Sequence, residues 1–230
     1  ECKIDGGSYS ACTSPKSYSA LADGSHTVTV RATDGAGNTA TASATWLVDT
    51  TGPTSVSLTA PAGSANVRGA SVTVSGTGSD SGSGLASLKF YYCSGASCTV
   101  AGGTQIGLAQ SSSPGSVTWD TTGLADGTYT LIVRATDNVG NTTDSSTVTV
   151  KVDNTAPSVS VTSSPSAQTS STSASIGFSS SDATSGVALT ECKIDGGSYS
   201  ACTSPKSYGV PPVWWTSSDR ACLGREGCLS

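Results

Sequence analysis

The sequence predicts an all-β protein built of antiparallel sandwich repeats, one complete and two partial. Short runs of apolar residues alternate at period two with Ser, Thr or Lys, which is how strands with one buried face read. Clusters of Gly, Pro, Asp and Ser separate these runs, and no stretch carries the apolar stripe of a helix. The chain also repeats itself at two levels, so each strand set has an internal counterpart.

Residues 1–18, ECKIDGGSYSACTSPKSY, recur unchanged at 191–208. A looser repeat aligns LADGSHTVTVRATDGAGN, from Leu21 to Asn38, with LADGTYTLIVRATDNVGN, from Leu124 to Asn141. Each is followed by an alternating strand and a similar junction, VDTTGP ending at Pro53 and VDNTAP ending at Pro157. The junctions lie roughly 100 residues apart, the size of one two-sheet sandwich. The expected organisation is therefore 1–50, the later strands of a repeat; 51–153, a complete repeat; 154–208, the early strands of a repeat; and 209–230, a non-repeat tail expected to be disordered. The chain opens inside a repeat and reads as a piece of a longer one.

In the first segment, a turn on Gly6, Gly7 and Ser8 is expected to set Asp5 opposite Tyr9 and Cys2 opposite Cys12. In the middle segment the inward positions are Val56 and Leu58; Val72 and Val74; Leu88, Phe90 and Tyr92; Val117 and Trp119; Tyr129, Leu131, Val133 and Ala135; and Val148, Val150 and Val152. Tyr129 follows a Gly turn at the start of a long strand, which predicts a tyrosine corner, its hydroxyl tied to the upstream backbone. His26 holds that position in the first repeat. After Tyr208 the expected LADGSHTVTV is replaced by GVPPVWWTSSDRACLGREGCLS. A truncated or frame-shifted repeat accounts for this; so does strand complementation, in which 154–190 supplies the strands that 1–50 lacks.

The eight cysteines fall in four close pairs, Cys2/Cys12, Cys93/Cys98, Cys192/Cys202 and Cys222/Cys228. The first three pairs flank turns, which favours local disulfides and an oxidising, extracellular setting. Zinc is the rival reading, opposed by a single histidine and the absence of CxxC. A net charge of −5 leaves no basic stripe for phosphates and argues against nucleic acid. Apolar runs of about five residues are far short of a membrane helix, so no membrane insertion is expected.

The segments DGTYTLIVRATDNVGNTT with VDNTAP, and ECKIDGGSYSAC with LADGSHTVTVRATDGAGN, resemble the bacterial Ig-like repeat domains of secreted and cell-surface proteins. The resemblance covers residues 1–208. It implies Ig-like sandwiches and a non-catalytic structural or adhesive stalk module. Neighbouring Ig-like repeats are the implied partners, with a host or cell-surface protein or glycan as the implied target. Two alternatives stay open: an accessory Ig-like module of a large extracellular hydrolase, and a filament subunit joined by strand complementation.

No catalytic residues are expected. A triad would depend on His26, which sits at a structural corner, and glutamates are scarce. The one ligand the sequence suggests is calcium. In an Ig-type sandwich the incoming linker and the B–C and F–G loops share one end, which gathers Asp49, Asp80 and Asp137 beside Asn138. Asp153 and Asp182 begin the same set in the next repeat. The competing reading is that these side chains only cap turns. Asn141-Thr142-Thr143 is a glycosylation sequon.

Overall fold

A computed structural model of the chain describes residues 1–209; Cys222, Cys228 and all but the first residue of the 209–230 tail lie outside the described residues. The chain divides into two compact units, Glu1–Thr155 and Ala156–Ser230.

The first unit opens with an antiparallel sheet of β1 (Cys2–Ile4), β2 (Gly24–Thr33) and β3 (Thr39–Val48), in that order. It continues with β4 (Thr54–Ala60), β5 (Asn66–Val67), β6 (Val72–Ser79), β7 (Leu85–Ser94), β8 (Thr104–Gln110), β9 (Gly115–Trp119), β10 (Gly127–Asp137), β11 (Thr142–Asp144) and β12 (Val148–Val152). These form two sheets: β4-β6-β9, and β5-β12-β10-β7-β8 with β11 paired to β10. Their inner faces close over Val74, Leu88, Phe90, Leu131, Val133, Val150 and Val152, all fully buried. Each contributes about 1.5–3 kcal/mol of apolar burial. Tyr92, Trp119 and Tyr129 form an aromatic cluster at one end, with ring centroids 5.2–6.0 Å apart.

The second unit carries β13 (Ser158–Ser163), β14 (Ala174–Ser181), β15 (Glu191–Cys192), β16 (Ser200–Ala201) and β17 (Lys206–Tyr208). β13-β14-β17 is one sheet, and β15-β16 is a separate hairpin.

The structure corrects the hairpin register. Cys2 pairs with Ser10 rather than with Cys12. The turn is the tighter Asp5-Gly6, with Asp5 at φ 51° and the Gly7 N–H donating to the Ile4 carbonyl. Aspartate tolerates the left-handed backbone a two-residue hairpin turn requires. The second copy repeats this with Asp195 and with Cys192 opposite Ser200. Disulfides still join Cys2–Cys12, Cys93–Cys98 and Cys192–Cys202, with Cα separations of 5.8, 5.3 and 5.8 Å. The Cys2–Cys12 and Cys192–Cys202 links therefore run diagonally across their hairpins. Among the described residues, no helix is long and apolar enough to cross a membrane.

Candidate functional site

The linker between β3 and β4 is held from both sides. Behind it, the Asp23 carboxylate accepts from the Thr50 N–H and hydroxyl at 3.0 and 2.8 Å. Ahead of it, Asp49 of the linker accepts from the Ser83 N–H at 2.6 Å, in the loop between β6 and β7. Asn141, in the turn between β10 and β11, spreads its Nδ2 over three acceptors: the Asp49 and Thr51 carbonyls at 3.1 and 3.2 Å and the Asp137 carboxylate at 2.8 Å. A Cβ on Gly82 would stand 2.5 Å from an Asp49 carboxylate oxygen, and one on Gly52 2.8 Å from the Thr143 hydroxyl. These glycines let the linker lie flat on the loops. The sequon asparagine is thus consumed in the joint, a role its motif does not signal.

The sequence-predicted carboxylates meet here. Asp49, Asp80 and Asp137 each offer an oxygen within 4.8 Å of the others. Asp137 is buried, which works to raise its pKa. Donors from Asn141, Gly140 and Val139 outweigh this and hold it below the usual carboxylate range. Contacts from Ser83 and Thr51 likewise hold Asp49 low. Asp80 accepts from the Gly84 N–H at 2.7 Å, and Asn138 donates to the Ser83 and Gly84 carbonyls. The oxygen spacing suits a cation bound at about 2.3–2.6 Å. Asp137 is also fully served as a turn cap without one.

The joint is written in a recurring vocabulary. Asp126 accepts from the Asn154 N–H at 2.6 Å, as Asp23 does from Thr50. Asp34 caps Ala36 and Asn38 as Asp137 caps its own turn, and Asp182 accepts from Gly186 as Asp80 does from Gly84. Asp153 is buried at the end of β12.

The corner positions agree in geometry and differ in chemistry. The Tyr129 hydroxyl donates to the Ala125 carbonyl at 3.1 Å. His26 makes the equivalent bond through Nε2 to the Ala22 carbonyl at 2.8 Å, and its Nδ1 lies 3.0 Å from an Asp5 oxygen. Carbonyl and carboxylate only accept, so the imidazolium, which donates from both ring nitrogens, satisfies both contacts. Its pKa is raised by the Ala22 carbonyl first and Asp5 second, and Asp5 is lowered in turn.

Three family descriptions match along the chain: a bacterial Ig-like domain over residues 7–50, a bacterial Ig domain over 55–133, and a group 3 bacterial Ig-like domain over 115–201. The chain is built of bacterial Ig-like domains. No curated protein matches it in sequence. Among solved structures, the chain is similar to the fibronectin(III)-like modules of Clostridium thermocellum CbhA, with 20% identity and a TM-score of 0.36. That match covers 66% of this chain and 76% of that one. A tetra-tandem repeat from the extending region of a large adhesion protein matches at 24% identity and a TM-score of 0.35. It covers 83% of this chain, which spans about half (48%) of that one. The protocadherin gamma-B4 extracellular domain matches at 18% identity and a TM-score of 0.25, over 76% of this chain and 30% of that one. Within the Ig-like repeats, the DNVGN turn of Asp137–Asn141 is a joint element as well as a cap, and the DGAGN turn of Asp34–Asn38 is a cap.

Proposed function

We propose that the chain is a non-catalytic spacer of a secreted or surface-attached bacterial protein, holding successive Ig-like repeats at a set angle for display or adhesion. The observation that carries this reading is the two-sided clamp on residues 49–51, by Asp23 behind and by Ser83 and Asn141 ahead. Short linkers tied at both ends transmit orientation, where a free Gly/Ser linker would not. Three local disulfides support an extracellular setting. Both nitrogens of the single histidine are engaged in the corner, which leaves no free imidazole for acid–base chemistry.

Calcium is the proposed reinforcement, held by Asp49, Asp80 and Asp137 and joining the linker to both loops. The support is the oxygen spacing and the hard-oxygen donor set. The test of the spacer is the distance distribution between spin labels on β3 and β10. A narrow distribution is expected, broadening in Asn141→Ala; equally broad distributions in both proteins contradict the reading. For calcium, melting is expected to shift upward with the ion in the wild type and not in Asp80→Asn. Identical melting in calcium and chelator would remove the cation from the account.

A further inference from the structure

Five aspartates of the chain are followed by glycine: Asp5, Asp23, Asp34, Asp126 and Asp195. Glycine has no side chain to shield its amide nitrogen, so the nitrogen can reach the carboxyl carbon of the residue before it. A carboxylate held by donors must give them up before it can react in this way. Four of the five are held. Asp5 accepts from His26 Nδ1 at 3.0 Å and from the Thr27 N–H at 2.8 Å, and Asp23 from the N–H and hydroxyl of Thr50. Asp34 accepts from the Ala36 and Asn38 N–H groups, and Asp126 from the Asn154 N–H. Asp195 has no such donor among the described residues.

Asp5 and Asp195 hold the same position in the duplicated 18 residues, so their neighbours in sequence are identical. Both sit at φ 51° in a turn closed by an N–H···O bond of 3.0 Å, from Gly7 to Ile4 and from Gly197 to Ile194. A Cβ on Gly6 or on Gly196 would meet nothing within 4 Å, so both turns are open to rearrangement and to water. What differs is the hold on each. The Asp5 main-chain N–H also donates to the Thr27 carbonyl of β2 at 2.8 Å, whereas the β15-β16 hairpin pairs only with itself. His26 is the single histidine of the chain, so the second copy has no counterpart to it.

We propose that Asp195-Gly196 is a site of spontaneous backbone isomerisation, and that the contacts of Asp5 protect the identical step in the first copy. The Gly196 nitrogen attacks Cγ of Asp195 in its acid form. An N–C bond forms, the nitrogen loses its proton, and the carboxyl hydroxyl leaves as water. A second water then opens the cyclic imide at either carbonyl. Opening at the former side-chain carbonyl restores aspartate. Opening at the main-chain carbonyl leaves isoaspartate, with the chain routed through Cγ and a carboxylate on Cα. Mass is unchanged, and no oxidant or reductant takes part. The product adds one methylene to the turn, while the Cys192–Cys202 disulfide keeps the two arms of the hairpin together.

The test is incubation of the full chain at mildly acidic pH, followed by reduction and chymotrypsin. Cleavage yields Glu1–Tyr9 and Thr190–Tyr199, told apart by the extra Thr190. Isoaspartate is read in each peptide by its shifted retention at unchanged mass and by methylation with isoaspartyl methyltransferase. It is expected to accumulate in Thr190–Tyr199 at least about tenfold faster than in Glu1–Tyr9, the factor that one hydrogen bond to a charged group supplies. In guanidinium with the disulfides reduced, the two identical steps are expected to react at one rate. His26→Tyr, which keeps the corner bond and removes a donor to Asp5, is expected to speed the Asp5 step. Equal rates in the folded chain overturn the proposal. So does an Asp195 that stays intact in the folded chain while the unfolded chain reacts, or an Asp5 rate unmoved by His26→Tyr.

Discussion

The carbonyl of Ala22 accepts from an imidazole and the equivalent carbonyl of Ala125 from a phenol. The histidine adds a second tie, to Asp5 in the β1 turn, and with it a pH dependence the tyrosine lacks. His26 is raised above an ordinary value of about 6.5, so its contribution is complete below that value and is lost as pH rises through the folded pKa. Asp5 is lowered, so its contribution is present above the ordinary aspartate value and is lost as pH falls through the folded pKa. As the single histidine, His26 can be titrated by NMR without ambiguity. A midpoint above 6.5 is expected, falling toward the ordinary value in Asp5→Asn. In His26→Tyr the carbonyl bond should survive, and the alkaline loss of protection on the Thr27 amide, which donates to the Asp5 carboxylate at 2.8 Å, should disappear. The Tyr129 corner was legible in the sequence because a Gly turn precedes an alternating strand. Its histidine version was not, because the bond lies in side-chain geometry that residue type alone does not fix.

At the scale of elements, alternation located the strands that bury a whole face, and it missed those that do not. β8 places only Ile106 in the core, leaves Leu108 81% exposed and bends at Gly107 with φ 61°, so its apolar residues show no period-two pattern. The two-residue β5 and the three-residue β11 are too short to carry any periodicity. The repeat boundaries also revealed that Asp49, Asp80 and Asp137 share one end of the sandwich. The clamp by Asn141 was hidden, since DNVGN reads as a turn and nothing more. Asn141→Ala should cost about 1–3 kcal/mol by leaving the Asp137 carboxylate and two linker carbonyls short of a donor. Chemical denaturation of the full chain checks this. Gly82→Ala removes no bonding group, yet should release the Asp49–Ser83 contact because the added methyl occupies its space. Faster exchange of the Ser83 amide, with the core amides unchanged, is the expected signature.

Over the whole molecule, the buried core is concentrated in the complete sandwich. The complete sandwich buries a continuous core, so Leu131→Ala, at a fully buried position, should cost about 2–5 kcal/mol. The outer half-sheets leave Val30, Val159 and Val161 exposed. Between the β1-β2-β3 sheet and the complete sandwich, residues 49–51 are tied to both sides, which is the basis of the proposed spacer role. The most direct test of that claim is amide exchange at the Thr50 and Ser83 N–H groups in the full chain. Protection comparable to the strand amides of β10 is the result expected of a clamped joint. Exchange at the rate of open loop amides would contradict it.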